Sequence, residues 1–461
     1  MTENLYELKN KNIHILGLAG TEGSSLALFL ISLGCKNIFG HDFSQQSDFV
    51  KNYYYYHQNL SSATISKQIK QLKNNLKAFY FKDSYLKNIT KADFILAPSS
   101  WFRYKINAPL KKNYKIWNWY NLLLKYFPGT VIGVTGTAGK GTTVNLIYQI
   151  LKTAGKKALM IGDSWQMMDL KNIFSSNKKT LVVAEVSNRT LTFAKNLKKS
   201  PKISVVTNIT KNHLDDHQGS FNKYIATKKE IAKYQTSHDF LVINKNDLIS
   251  KKLKSFSPAK KIYFYSADKN KKLIKNPDLI GEHLISDAVA AIKVVKILKI
   301  STADIIKGIK KFKSRQGRLQ FIKKIQGISF YNDAASTRPE ATIAAIKSFT
   351  KNKLNLILEG SRYKPEKKQF LQLIKTIDKF KVRKVAVSGK ISNFLYPLLL
   401  KSQAEIFKTK NLKESLKILI KKAKKDEIIL LSPACESFGE FKDYRERINS
   451  FNEFVKKLNE T

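Results

Sequence analysis

The sequence is poor in cysteine and in long apolar runs, and each shortage excludes a class of protein. Its 2 cysteines, Cys35 and Cys435, lie far apart, which excludes a disulfide-stapled scaffold and indicates a reducing compartment. No stretch approaches the ~18 uninterrupted apolar residues of a membrane helix. Residues 1–11 contain acids instead of the apolar segment of a secretory signal. We therefore expect a cytoplasmic protein without a membrane span.

Acidic residues are also scarce: 35 aspartates and glutamates face 83 lysines and arginines, a formal charge of +48. Such an imbalance is typical of proteins that bind nucleic acids, anionic membranes or polyanionic substrates. The lysines are spread along the whole chain, however, and no recognition helix or aromatic nucleic-acid motif accompanies them. We predict no specific nucleic-acid partner. The charge by itself predicts only weak, non-specific binding to polyanions.

The chain of 461 residues is long enough for about three domains. Short apolar runs alternate with helical stretches, a pattern typical of α/β domains with mostly parallel sheets. The aromatic segment 117–127 predicts a connection at the first boundary, and Gly317 opens a further block. We predict a Rossmann-like N-terminal domain, a central P-loop-type ATPase domain and a Rossmann-like C-terminal domain. Their expected ranges are 1–127, 128–316 and 317–461.

The glycine-rich stretch 131–144 carries the clearest chemical signal. A β-branched run enters it, three glycines allow a tight turn, and an apolar-periodic segment leaves it. In this order of strand, loop and helix, backbone N–H groups face an anion and Lys140 adds a full positive charge. A regular Walker A loop would have glycine at Val134 and a hydroxyl at Gly141. The stretch predicts a phosphate-binding loop of irregular form; an ordinary glycine-rich turn is the alternative.

Charged residues end two apolar runs of the central block. Glu185 lies in the run 181–186, where an acid is costly unless it is paired or binds a metal; a structural ion pair is the alternative. The run 203–209 leads to His213 and neighbouring carboxylates. His213 and His217 would suit zinc on a helix, but no further soft ligand accompanies them, and the carboxylates favour magnesium.

The first and third blocks also place polar residues after apolar runs. In the first block a strand, a glycine turn at Gly17, a helix and a second strand ending at Asp42 follow one another. An acid in this place can contact a ribose or a base. The spacing G-x-x-G-x-x-G differs from that of a dinucleotide fingerprint, so it does not identify one. In the third block Asp333 and Ser432 follow apolar runs and are expected to face a ligand.

In chain order, these motifs resemble the Mur ligases of peptidoglycan synthesis, and within that family the members that add glutamate. The resemblance covers the whole chain and rests on residues 133–143, 185–187, 207–215, 224–228, 331–333 with Thr337, and 431–435 with Phe441. It implies an ATP-dependent ligase that joins D-glutamate to UDP-N-acetylmuramoyl-L-alanine through an acyl phosphate, giving ADP and phosphate. It also implies ATP and two Mg²⁺ as cofactors. We expect these two substrates as partners, and a monomer.

The resemblance further implies roles for individual residues. Catalysis would depend on Lys140, His213 and Lys228. The metal ligands would be Thr142, Glu185, His213 and Lys228, the last as a carbamate. ATP would be bound by Gly136, Thr137, Ala138, Gly139, Lys140, Gly141, Thr142, Thr143, Asp287, Arg318 and Asp333. The acceptor and glutamate would be bound by Gly17, Asp42, Ser187, Thr337, Ser432 and Phe441.

Several positions depart from the family pattern. Gly141 replaces a serine or threonine whose hydroxyl meets magnesium, and we expect Thr142 to take over. Asp287 replaces the last amide of the adenine-side motif Gly-x-His-Asn-x-x-Asn. Near the amino-acid site, Ala335 replaces a lysine, and the usual Gly-Gly loop reads Glu359-Gly-Ser-Arg-Tyr-Lys364. Ligation of L-glutamate or of another amino acid is therefore an alternative.

Two further alternatives concern the function as a whole. A folylpolyglutamate synthase-like ligase would match the later blocks, but the first block, with Gly17 and Asp42, argues against it. A non-catalytic basic protein that binds polyanions would explain the charge. The sequence keeps four residues of the family's site: Lys140, Glu185, His213 and Lys228. Their joint retention argues against a non-catalytic protein, since drift has no reason to spare all four.

Overall fold

The computed structural model describes residues 3–110, 116–162, 168–211, 214–266, 273–349, 353–361 and 366–458. They form an α/β protein with three mostly parallel sheets. The chain divides into two compact units, and each is described by itself. The first comprises Met1–Lys269 and Asp287–Gly308, the second Asn270–Ser286 and Ile309–Thr461. Within the described ranges, no helix has both the length and the apolar character needed to cross a membrane.

The first sheet has five parallel strands in the order β3-β2-β1-β4-β5. Its strands are β1 (Ile13–Leu16), β2 (Ile38–Asp42), β3 (Ala78–Phe81), β4 (Phe94–Leu96) and β5 (Ile116–Trp117). The helices of this part are α1 (Thr21–Leu33), α2 (Phe49–Tyr56), α3 (Ser62–Asn75) and α4 (Trp119–Tyr126). The strand order reverses between β1 and β4, so a crevice for a ligand is expected at their carboxyl ends.

The segment predicted as a connection between domains has regular structure. It supplies β5 and α4, and Trp119 and Tyr120 are 2% and 1% exposed. Asn118 begins the helix, because its side-chain oxygen accepts hydrogen bonds from the backbone N–H groups of Tyr120 and Asn121. The aromatic residues in this segment are therefore core residues.

The second sheet has six parallel strands in the order β11-β10-β9-β6-β8-β7. Its strands are β6 (Thr130–Thr135), β7 (Ala158–Ile161), β8 (Leu181–Glu185), β9 (Ile203–Val206), β10 (Phe240–Asn244) and β11 (Lys261–Tyr265). The helices in this stretch are α5 (Lys140–Thr153), α6 (Leu170–Phe174), α7 (Asn188–Leu191), α8 (Phe221–Lys233), α9 (Leu248–Lys251), α10 (Glu282–Ile297) and α11 (Thr302–Lys311). Strand β6 lies between β9 and β8, which puts the phosphate loop at the centre of the sheet edge.

The third sheet has six strands in the order β12-β13-β17-β14-β15-β16, and β12 alone runs antiparallel to its neighbour. Its strands are β12 (Gln320–Ile325), β13 (Ile328–Asn332), β14 (Lys353–Glu359), β15 (Lys384–Ser388), β16 (Glu405–Lys408) and β17 (Glu427–Ala434). The helices are α12 (Pro339–Lys347), α13 (Lys367–Lys379), α14 (Ser392–Leu399), α15 (Leu412–Lys422) and α16 (Tyr444–Lys456). The predicted fold class is confirmed: three α/β sheets follow one another along the chain.

Candidate active site

The phosphate loop joins β6 to α5 and depends on two glycines. Gly136 has φ +153° and Gly139 has φ +82°, conformations that side chains disfavour. A Cβ atom on Gly136 would lie 1.9 Å from the Thr207 hydroxyl oxygen, and one on Gly139 would lie 2.1 Å from a carboxyl oxygen of Asp287. Both positions therefore exclude a side chain by conformation and by space.

Side chains at the end of β9 hold the loop in shape. The Asn208 side-chain oxygen accepts a hydrogen bond from the Ala138 N–H at 3.0 Å. The Thr207 hydroxyl donates to the Ala138 carbonyl oxygen at 2.6 Å, and the Thr137 hydroxyl lies 3.0 Å from that of Tyr224. Thr207 and Asn208 were not predicted as site residues. The sequence feature that could have identified them is a threonine–asparagine pair directly after an apolar strand.

Two lysines converge on one carbonyl oxygen of this loop. The Lys140 ammonium donates to the Gly136 and Thr137 carbonyl oxygens at 3.0 and 3.2 Å. The Lys228 amine donates to the Gly136 carbonyl oxygen and to the Thr135 hydroxyl, both at 3.0 Å. Lys228 is 1% exposed. Burial, and next the charge of Lys140, lower its pKa well below the ordinary value.

Glu185 completes this group from the neighbouring strand. It ends β8, where it pairs in register with Val134 of β6, and its charge opposes the lowering of the Lys228 pKa. The structure thus brings Lys140, Lys228 and Glu185 together. His213 lies outside the described residues, and among those described no group of three His, Cys, Asp or Glu side chains forms a metal site.

The other predicted residues of the loop lie in the first turn of α5, where backbone N–H groups lack helical acceptors. Gly141 and Thr142 are partly exposed, and Thr143 is buried. The Gly141 carbonyl oxygen accepts a hydrogen bond from the Asn145 side chain at 2.8 Å. The hydroxyl available at the surface of this turn is therefore that of Thr142.

Asp287 lies directly beneath the phosphate loop. Its carboxyl group contacts Gly139, and the side chain is 5% exposed. Burial raises the pKa of Asp287 well above the ordinary value, although the charge of Lys140 acts in the opposite direction. A protonated carboxyl has the donor and acceptor of a carboxamide. Asp287 can therefore take the place of the amide that the family motif has here.

In the first sheet, Asp42 joins the end of β2 to the glycine turn. Its carboxylate accepts hydrogen bonds from the Ala19 N–H at 2.9 Å and from the Ser44 hydroxyl at 2.8 Å. Gly17 has φ +64°, and a Cβ there would lie 3.0 Å from the Pro98 ring. Asp42, at the end of β2, is thus hydrogen-bonded to the glycine turn that follows β1 and contains Gly17.

Ser187 lies at the start of α7, where its hydroxyl accepts a hydrogen bond from the Thr190 N–H at 3.0 Å. Thr190 in turn contacts the hydroxyl of Ser99, which follows β4, at 3.2 Å. Ser99 donates its N–H and hydroxyl to Glu22 at 2.7 and 3.0 Å. This polar line between the first and second sheets was not predicted. The sequence feature that could have revealed these contacts is Glu22, an acid in the first turn of α1.

In the second unit, the predicted residues cluster at the carboxyl ends of β13 and β17. The Asp333 carboxylate accepts hydrogen bonds from the hydroxyls of Ser336 and Ser432 at 2.6 and 2.8 Å. Burial raises the pKa of Asp333 to about 6, against the charge of Arg318. Ser432 is fully buried, so its hydroxyl supports Asp333. Thr337 is partly exposed nearby in sequence.

Phe441 is partly buried and packs against the core of this second unit. Its N–H donates to the Ser437 carbonyl oxygen at 3.2 Å, which folds the segment after β17 into a turn. Arg362 and Lys364, which stand in the loop that departs from the family pattern, lie outside the described residues.

Comparisons with known proteins agree with this geometry. Residues 134–289 match the Mur ligase middle domain. The chain is 29% identical, over 98% of its length and 99% of the relative, to the UDP-N-acetylmuramoylalanine–D-glutamate ligase of Caldanaerobacter subterraneus subsp. tengcongensis. It is 32% identical to that of Clostridium botulinum, over 73% of this chain and 76% of the relative.

A solved structure shows the same fold. The MurF ligase from Thermotoga maritima in complex with ADP matches with a TM-score of 0.56 at 16% identity, over 85% of this chain and 92% of that chain. The sequence relatives extend beyond the middle domain into the other sheets. The chain belongs to the Mur ligase family.

Proposed function

We propose that this protein is an ATP-dependent ligase that adds D-glutamate to UDP-N-acetylmuramoyl-L-alanine in peptidoglycan precursor synthesis, most like MurD. One observation carries the proposal: Lys140, Lys228 and Glu185 meet at a phosphate loop. The relatives that match most of the chain are named for this activity. The reaction joins a carboxylate to an amine through an acyl phosphate and releases ADP and phosphate.

The residues around the loop fit a nucleotide triphosphate. Gly136 and Gly139 exclude side chains from the cradle, and the first turn of α5 presents N–H groups. Lys140 is placed to hold the transferred phosphoryl group. Gly136, Thr137, Ala138, Gly139, Gly141, Thr142 and Thr143 would line the phosphates, with Asp287 beneath them. We also assign Arg318 and Asp333, which belong to the second unit, to ATP binding.

The donor set also fits magnesium, which prefers oxygen ligands. Thr142 and Glu185 supply oxygens, and we assign His213 as a further ligand. Two Mg²⁺ ions, when bound, neutralise the charge that gathers on the phosphoryl group. The chain's own part is to hold Thr142 in the first turn of α5 and Glu185 at the end of β8.

Lys228 is assigned as a carbamate. Its buried position and the neighbouring Lys140 lower its pKa, which favours the neutral amine, the form whose lone pair can attack CO₂. The nitrogen–carbon bond forms as one carbon–oxygen π bond of CO₂ opens, one proton leaves to water, and the neutral amine becomes an anionic carbamate. The carbamate oxygens would then serve the second Mg²⁺, and the Thr135 hydroxyl and loop backbone would orient them.

The substrates are assigned by region. Residues 1–127 would bind the UDP part through Gly17 and Asp42, and Ser187 would contact the muramoyl part. Within 317–461, Thr337, Ser432 and Phe441 would hold glutamate. Residues 128–316 would bind ATP. We place the protein in the cytoplasm as a monomer, with no specific nucleic-acid partner.

The alternatives are less well supported. Folate extension and simple polyanion binding are not favoured, since relatives along the whole chain are named as D-glutamate ligases. A ligase for L-glutamate or for another amino acid would differ from this proposal only in the residues of its amino-acid pocket.

Phosphate release from ATP tests the proposal. We expect release that requires both UDP-N-acetylmuramoyl-L-alanine and D-glutamate, with product identified by mass. Matched reactions with L-glutamate and with other amino acids test the pocket. Preference for another amino acid would overturn the D-glutamate assignment, and absence of acceptor-dependent release with every amino acid would overturn the ligase.

A further inference from the structure

Two arginines and one aspartate form an ion cluster at the seam between the first and second sheets. Arg103 belongs to the segment after β4, whereas Arg189 lies on α7 beside Ser187. Their Nε atoms contact different oxygens of the Asp216 carboxylate, at 3.2 and 2.7 Å. The Asp216 side chain is 6% exposed, while those of Arg103 and Arg189 are 51% and 28% exposed.

Arg189 donates its Nε–H to Asp216, and Arg103 forms an ion pair with it through its own Nε. Among the described residues, the terminal N–H groups of the two arginines donate no hydrogen bond. The buried carboxylate cancels one of the two positive charges, and the neighbouring Asp215 is exposed. The cluster therefore fixes two guanidinium groups side by side and leaves their N–H forks available, an arrangement that suits phosphate oxygens.

The usual anion position of such a sheet is occupied by an acid. In a Rossmann-like unit, a diphosphate lies at the N-terminus of the first helix. Here Glu22 stands in the first turn of α1, and its carboxyl group is held by the N–H and hydroxyl of Ser99 at 2.7 and 3.0 Å. An ionised Glu22 would repel phosphate at that position, and a protonated one would offer it no charge.

A line of direct contacts leads from the glycine turn to the arginines. Gly17 lies against Pro98, and Ser99, the next residue, meets the Thr190 hydroxyl at 3.2 Å. Thr190 follows Arg189 in α7. An acceptor that extends from the first sheet toward Glu185 must cross this seam.

We propose that Arg103 and Arg189, aligned by Asp216, bind the diphosphate of the nucleotide-sugar acceptor. This inference rests on the proposed function, because it takes a UDP-linked acceptor as the substrate. The diphosphate is the charged group between the nucleoside and the sugar, so it is the part that would lie at the seam. Asp216 is a positioning residue, and the arginines are the binding residues.

Titration calorimetry with UDP and with uridine tests the proposal on the full chain. For Arg103→Gln and Arg189→Gln we expect the affinity for UDP to fall by about 10- to 100-fold, with that for uridine unchanged. The exposed Lys195 on the same part of the chain gives the control Lys195→Gln, for which UDP affinity should not change. UDP affinity equal to wild type in both arginine variants would overturn the proposal, as would equal losses for UDP and uridine.

Two further arms separate the possible causes. Asp216→Asn adds net positive charge yet removes the alignment, so we expect weaker UDP binding, and tighter binding would overturn the positioning role. Loss of affinity for UDP-N-acetylmuramoyl-L-alanine without loss for UDP would assign the arginines to the alanyl carboxylate and overturn the diphosphate assignment. If the arginine assignment fails, acceptor-dependent phosphate release by the wild-type protein would still support the proposed function.

Discussion

The Lys228 amine nitrogen lies 3.0 Å from the Gly136 carbonyl oxygen, which also accepts a hydrogen bond from the Lys140 ammonium at 3.0 Å. Like charges so close in a buried place disfavour one of the two protons. Lys228 is the more deeply buried lysine, and its pKa is lowered. The surroundings of the phosphate loop therefore favour the neutral form of the Lys228 amine.

Lys228→Ala tests the role of this buried amine. We expect the ligation rate to fall by about 100-fold or more, because an electrostatic group at the reacting phosphoryl is lost, while ATP analogue binding persists. Phosphate release and nucleotide titration measure the two effects. Lys223→Ala, on the exposed side of the same helix, is the control and should retain activity. Normal turnover by Lys228→Ala would contradict the carbamate assignment.

Asp287→Asn tests whether this buried acid acts as an amide. Because the pKa of Asp287 is raised, the native group is neutral at low pH and gains charge as the pH rises. We expect ATP affinity of the native protein to decline with rising pH, since an ionised Asp287 beneath the loop repels phosphate. The variant should bind ATP without that decline. Titrations across the pH range measure it, and a large loss of affinity in Asp287→Asn at low pH would contradict the prediction.

The buried pair His14 and His41 predicts acid sensitivity. His41 Nδ1 faces the Tyr85 carbonyl oxygen, so this nitrogen carries the proton, and His41 Nε2 accepts from His14 Nδ1 at 2.8 Å. Burial lowers both pKa values to about 4. The unfolded chain binds protons below about 6.5, so stability is full above that pH and is lost as the pH falls toward 4.

Between pH 8 and pH 5 the loss is on the order of 2 kcal/mol for one histidine. Urea unfolding at pH 8 and pH 5 measures it. His14→Phe keeps an aromatic ring against Phe39, whose ring centroid lies 4.5 Å away, and should lose less stability on acidification than the native protein. Equal losses would show that the histidine pair does not cause the sensitivity.

The fully buried pair Glu359 and Arg447 predicts a large stability difference from an exposed pair. Arg447 donates to the Glu359 carboxylate at 2.8 Å and to the Ala334 and Cys435 carbonyl oxygens at 3.0 Å each. Glu359→Gln leaves a buried charge unpaired, and we expect a loss of about 3–5 kcal/mol. Urea unfolding measures the loss.

The control for this prediction is an exposed ion pair of the same unit. Lys324 and Asp426 lie 3.5 Å apart with side chains 54% and 72% exposed. Lys324→Ala should cost less than about 1 kcal/mol. Similar losses for Glu359→Gln and Lys324→Ala would contradict the role assigned to burial.

Much of the fold could be predicted because its inner strands are continuous apolar runs. Strands β8, β9, β14 and β17 were expected from such runs and are observed. The edge strands β12 and β16 were not expected, because their residues are partly exposed and mix apolar with charged side chains. Strand β5 was hidden in an aromatic segment that resembled a connection. Apolar periodicity identifies buried strands, and an edge strand is only partly buried.

The candidate site, too, was only partly predictable from the sequence. Local pattern was enough to single out Lys140 and the loop glycines, since strand, loop and helix are consecutive. The partners of the loop come from distant positions: Asn208 is 70 residues from Ala138, and Thr190 is 91 residues from Ser99. The sequence around one residue of such a pair does not indicate which distant residue it contacts.

The amino-acid sequence by itself determined the α/β class, the order of the blocks and the phosphate loop, because these depend on apolar periodicity and on glycines close in the chain. Only the tertiary structure decided that the pKa of Lys228 is lowered, that Asp287 lies beneath Gly139, and that Arg103 and Arg189 share Asp216. The physical reason is that pKa shifts and ion pairs depend on burial and on distances between remote residues. Parallel strand order creates those distances, and it is a property of the folded sheet.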